Sequence, residues 1–191
     1  MGTRYLTAVV HKGEYRVAQF GQFNGHFGGA GFEILSFLLS LRLNSKKLEG
    51  FMKGLAESKF VDEETAYSLR TEFSPLVPNP FNPWMPQFRG EFGCDVLYEL
   101  FERGIENRAP LLLLNHLEFA ANGLFCACAY VIDLDNSMFE IYEGGPERVA
   151  LPGERFYGMS PGKNPNLPPT SSKHGPVGLF MKWSFDELPS Q

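Results

Sequence analysis

The chain has 191 residues, 43% of them hydrophobic and 14% aromatic, with eighteen phenylalanines, which is ample apolar material for the core of one domain. A net charge of −5 and an isoelectric point near 5.4 exclude a broad footprint on nucleic acid or on an anionic membrane surface. Three cysteines, two of them one residue apart, make no disulfide framework and point to a reducing, cytoplasmic setting.

No apolar run approaches the length of a bilayer and no cationic, apolar signal segment opens the chain. Met1-Gly2 is followed by Leu6 where a myristoylation motif wants Ser or Thr, so no membrane partner is expected.

In chain order, Arg4–His11 and Glu14–Phe20 read as two strands joined by Lys12-Gly13, a short hairpin connection. After a glycine-rich loop, Phe32–Leu41 is apolar almost all round, as a buried helix should be. Asn44 or Ser45 can cap a second helix, where Leu48, Phe51, Met52 and Leu55 recur at helical spacing. Asp62 starts a third, with Ala66, Leu69 and Phe73 inward. Five prolines between Ser74 and Pro86 then rule out helix and central strand, and Phe81, Trp84 and Phe88 are interleaved with them. This connecting segment, residues 74–93, is either an extended strap anchored by its aromatics or a proline-rich recognition strip.

Cys94–Arg103 returns to helical spacing, with Gly104 as its stop. Pro110–His116 reads as a buried strand, and Phe125–Asp133 with Met138–Glu143 as a hairpin closed through Leu134–Ser137. Gly145–Pro176 holds five glycines and seven prolines in 32 residues and is expected to be a long loop crossing the domain face, before Val177–Ser184 resumes as a final strand. The expected architecture is a single α+β domain over residues 1–191, an antiparallel sheet of about five strands with the helical segment on one face.

The loop from Gln19 to Gly31 is the first candidate site. Glycine allows close backbone approach, and a helix start just beyond offers N–H groups to an anion. Gln19, Gln22, Asn24, Gly25, Gly28, Gly29 and Gly31 are the expected substrate-binding residues, with Arg4 and Arg16 as an anion clamp. His26 is the expected acid/base, because an imidazole titrates near neutrality. The other reading is a structural turn, since Asn24-Gly25 is a turn dipeptide and glycines also permit tight packing. Neither a P-loop nor a dinucleotide-binding fingerprint is present, and no cofactor is expected.

Cys126 and Cys128, two apart on an expected strand, would point to one face beside Tyr130. They read as small core residues or, with His26 or His116 as base, as thiol nucleophiles. A zinc site with Cys94 lacks the paired spacing such sites use, so no metal is expected. Asp133 and Asp135 at the hairpin end read as turn caps, with catalysis or metal binding as the other reading.

Met1-Gly2-Thr3-Arg4-Tyr5-Leu6, the turn Ala18-Gln19-Phe20-Gly21-Gln22-Phe23-Asn24-Gly25, and Leu124-Phe125-Cys126 with Ala129-Tyr130-Val131-Ile132-Asp133-Leu134-Asp135 together resemble a large family of fungal proteins with relatives in bacteria and phages. The resemblance spans most of residues 1–144 and implies a fungal, intracellular protein without implying a particular chemistry. Typical members carry Asp-Gly-Tyr-Pro in the turn and Cys-Glu-Trp in the later strand, where this chain has Asn24-Gly25-His26-Phe27 and Cys126-Ala127-Cys128. Two carboxylates of the family pattern are therefore missing, and no acid/base or metal role carries over from it.

Three functions follow as expectations. The first is a small biosynthetic enzyme for acyl or aminoacyl transfer, taking a small-molecule or aminoacyl substrate at the glycine loop. The second is a non-catalytic interaction module or inactive paralogue. The third is a hydrolase of the N-terminal-nucleophile type, in which loss of Met1 and Gly2 would expose Thr3.

Overall fold

The computed structural model describes residues 2–65, 92–160 and 174–189. Strands β1 (Tyr5–His11) and β2 (Glu14–Gly21) form the expected antiparallel hairpin. Lys12 and Gly13 turn it at φ 58° and 76°, the left-handed pair that matches the natural twist of two strands. Helices α1 (Phe32–Leu43) and α2 (Ser45–Glu57) follow, and Asn44 caps the second by accepting the Lys47 N–H at 3.1 Å. Asp62 accepts the Thr65 N–H at 2.7 Å, as a helix cap does. The remainder of that expected helix, the 74–93 segment as far as residue 91, and residues 161–173 of the long loop lie outside the described residues.

Helix α3 (Val96–Glu106) packs on α2 through glycine. A Cβ on Gly104 would lie 1.8 Å from the Gly50 carbonyl oxygen, and one on Gly54 would lie 1.9 Å from that of Leu100. Gly104 therefore sits inside the helix at the crossing and is not its stop. The stop is Asn107, at φ 52°.

A short parallel pair, β3 (Lys59–Phe60) with β4 (Leu112–Leu113), is what the expected strand at Pro110–His116 becomes. Strands β5 (Cys128–Asp133), β6 (Met138–Glu143) and β7 (Gly178–Ser184) complete the main sheet, in the order β2-β1-β5-β6-β7. The fold is α+β with five strands, as expected, but the sheet is mixed because β1 and β5 run parallel. Local alternation marks each strand, yet nothing local records which earlier strand a returning chain will join.

Both faces of the sheet are covered. Tyr5, Val9, Val17, Cys128, Tyr130, Ile132, Phe139 and Ile141 pack with the three helices in one buried cluster. Leu6, Ala8, Val10, Ala18, Ala129, Val131 and Tyr142 face the other way, against Ala120, Ala150, Phe156 and Val177. The described first half of the long loop thus lies on the sheet, with Phe156 fully enclosed.

Candidate functional site

The glycine loop leaves β2 and enters α1 by one wide turn over Phe27–Gly31, and its backbone is tied down at each step. Gly25 donates to the Thr3 carbonyl at 2.9 Å, and its own carbonyl accepts the Tyr130 hydroxyl at 2.9 Å. Asn24, at φ 62°, accepts from Ala30 N at 2.8 Å, and His26 O accepts from Gly29 N at 2.9 Å and Gly31 N at 3.5 Å. Phe32 N bonds Gly29 O. The amides of Gly25, Gly29 and Gly31, expected to face an anion, are thus engaged by carbonyls of Thr3 and His26.

The same close fit explains the glycines. A Cβ would come within 2.6 Å of Thr3 O from Gly25, 2.3 Å of Asn24 O from Gly29, and 2.8 Å of the Phe27 ring from Gly31. Gly28 alone of these four has room, its nearest neighbour being His26 Nδ1 at 3.5 Å. Packing against Thr3, Asn24, Phe27 and Tyr130 is what requires glycine here. The loop shows three aromatic rings to solvent, Phe23, Phe27 and Phe32 being 69%, 43% and 46% exposed, with Asn24, His26 and Gly28 also exposed among them. The Phe27 ring leans on Trp183 of β7 at 6.1 Å.

Arg4, Arg16 and Gln19 are occupied elsewhere. Arg16 donates through Nη2 to the carbonyls of Leu55, Ala56 and Ser58 at 3.5, 3.3 and 2.8 Å, so it closes the C-terminus of α2, where unpaired carbonyls gather. Arg4 lies over the Phe125 ring at 5.2 Å. Gln19 is buried and donates to the carbonyls of Leu114 and Ala18 at 2.7 and 3.2 Å, while Gln22 is half-buried. The clamp of Arg4 and Arg16 on the loop does not form.

The thiols do not share a face. Strand β5 begins at Cys128, so alternation does not extend back to Cys126. Cys128 joins the helix-side core and Cys126 the opposite one, where its thiol donates to the Cys128 carbonyl at 3.2 Å. Burial pushes both thiols above the ordinary cysteine range, Cys126 furthest, and holds the proton on sulfur. His116 is no base for them: its Nδ1 accepts the Phe20 N–H at 3.2 Å, closing the outer edge of β2. Burial lowers its pKa, so the imidazole stays neutral. Cys94 is bound to Tyr5, whose hydroxyl accepts Cys94 N–H at 3.0 Å and donates to its sulfur at 3.3 Å. Among the described residues no group of three His, Cys, Asp or Glu side chains is placed to hold a metal ion.

The strongest polar cluster went unread in the sequence. Arg155, from the long loop, donates to Asp133 at 2.5 Å and to both oxygens of Glu140 at 2.6 and 3.1 Å, and Tyr142 donates to Glu140 at 2.8 Å. Burial would raise the Asp133 carboxyl, but bonds from Asn136 and Arg155 overcome it and hold the pKa below the usual carboxylate range. Asp133 also accepts the N–H groups of Asp135 and Asn136 at 3.1 and 3.0 Å, a turn cap. Asp135 caps a different turn, accepting Lys12 N and Gly13 N at 2.7 Å each.

Among the described residues no helix is long and apolar enough to cross a membrane. Comparison with protein-family models, with curated proteins and with solved structures returns no match.

Proposed function

We propose that this chain is a binding module that works through the exposed aromatic surface of residues 22–32, without covalent chemistry at its cysteines. The observation that carries the reading is that Phe23, Phe27 and Phe32 stay in water on a backbone fixed by carbonyl and tyrosine bonds. Large apolar rings held on a rigid base lose little entropy on binding and gain much by desolvation. Exposed aromatic rings concentrated in one short segment are what a recognition surface presents. Acyl or aminoacyl transfer through Cys126 or Cys128 would need a reachable thiolate, and both thiols are enclosed and held protonated.

Two measurements on the full chain test the reading. The double variant F23S/F32S, which leaves the Phe27–Trp183 contact in place, should keep the melting temperature of the parent while losing about tenfold in affinity, near 1.4 kcal/mol, for a partner retained from the source cells. Equal retention by parent and variant, or none by the parent, overturns the surface. Fast alkylation of Cys126 or Cys128 in the native protein at neutral pH overturns the non-covalent part.

A further inference from the structure

Away from the glycine loop, a cavity of about 340 Å³ opens between α1, the first turn of α2, the β5–β6 turn and the C-terminal segment. Leu38, Leu41, Leu48, Leu134, Phe185 and Leu188 line it, and Arg42, Ser45 and Asp186 complete its lining. Its walls are tied by the chain's own hydrogen bonds. Leu134 N donates to Val10 O at 3.0 Å, Phe185 N to Ser137 O at 2.8 Å, and Arg42 Nη1 to the carbonyls of Phe185 and Asp186 at 3.2 and 3.4 Å. Arg42 thus bonds the main chain of Asp186 and not its carboxylate. Among the described residues neither Arg42 nor Asp186 forms an ion pair, and both residues line the cavity.

We propose that this cavity binds a small molecule with an apolar, preferably aromatic, body and an amino-acid head, the head meeting Arg42 through its carboxylate and Asp186 through its ammonium. The volume lies in the range of small-ligand sites, and mostly apolar walls with a few polar groups are their usual chemistry. Phe185 supplies an aromatic wall for an edge-to-face contact. The charges serve orientation more than affinity, because Arg42 and Asp186 are exposed and screened by water. This proposal shares no residue with the loop surface, so either can fail alone.

Titration calorimetry of the full chain with L-tryptophan, tryptamine and 3-indolepropionate tests it. L-Tryptophan should bind one to one, with each singly charged analogue about fivefold weaker. Asp186→Asn keeps the main-chain carbonyl that Arg42 uses and should bring L-tryptophan down to the affinity of 3-indolepropionate. Ser45→Trp, at an exposed position on the cavity, should abolish binding at an unchanged melting temperature. No heat with L-tryptophan overturns the site, as does binding that survives Ser45→Trp. Analogues as tight as L-tryptophan overturn the amino-acid head.

Discussion

The hydroxyl of Tyr130, in the middle of the sheet, donates to the carbonyl of Gly25 at 2.9 Å across 105 positions of sequence. Tyr130 is fully buried, so this one bond fastens the glycine loop to β5. Tyr130→Phe keeps the ring and leaves a carbonyl unpaired, which should cost about 1–2 kcal/mol. Urea denaturation should show a lower midpoint at an unchanged slope. An unchanged midpoint would show that the loop is held by other contacts.

Neighbouring glycines in the loop should respond in opposite ways. Gly28→Ala has space and should stay within about 0.5 kcal/mol of the parent. Gly29→Ala drives a methyl into Asn24 and should cost about 2 kcal/mol or more. Equal tolerance at both positions would return the loop to the status of an open ligand cradle.

Arg155→Met should free the segment that covers the second face of the sheet. It leaves Asp133, whose side chain is 3% exposed, without its cation, and breaking such a pair costs about 3 kcal/mol. Dilute trypsin should then cut faster at Arg148, while the double variant D133N/R155M should recover part of the loss. A double variant no better than R155M would mean that Arg155 acts through packing alone.

His116 gives the protein a pH dependence of defined sign. Its folded pKa lies below the ordinary histidine value of 6.5 because burial disfavours the charged ring. The unfolded chain therefore binds the proton more readily, so the full contribution to stability is present above about pH 6.5 and is lost as pH falls through the folded pKa. Melting of the parent should decline over that window more than melting of His116→Gln. Parallel curves would remove His116 as the source.

Local chemistry was legible in the sequence where the structure depends on neighbours along the chain. The turn at Lys12-Gly13, the cap at Asn44, the β5–β6 hairpin and the wide glycine turn all follow from residues within a few positions of one another. Partners far along the chain were not legible. Gly104 has the composition of a helix stop, but the α2 backbone pressed against it makes it a crossing point. Arg16 has the look of an anion clamp, yet the end of α2 lies over it. The thiol pair misled because a shift of strand onset moves one side chain to the other face.

The carboxylate that finishes the turn at Lys12 and Gly13 belongs to Asp135, up to 123 positions later. During synthesis the first hairpin leaves the ribosome long before that carboxylate exists, with two turn amides left to water. A lone hairpin is marginal at best in any case. The first turn therefore gains its carboxylate only when the second hairpin arrives, and Asp135 adds a side-chain tie to the backbone pairing of β1 with β5.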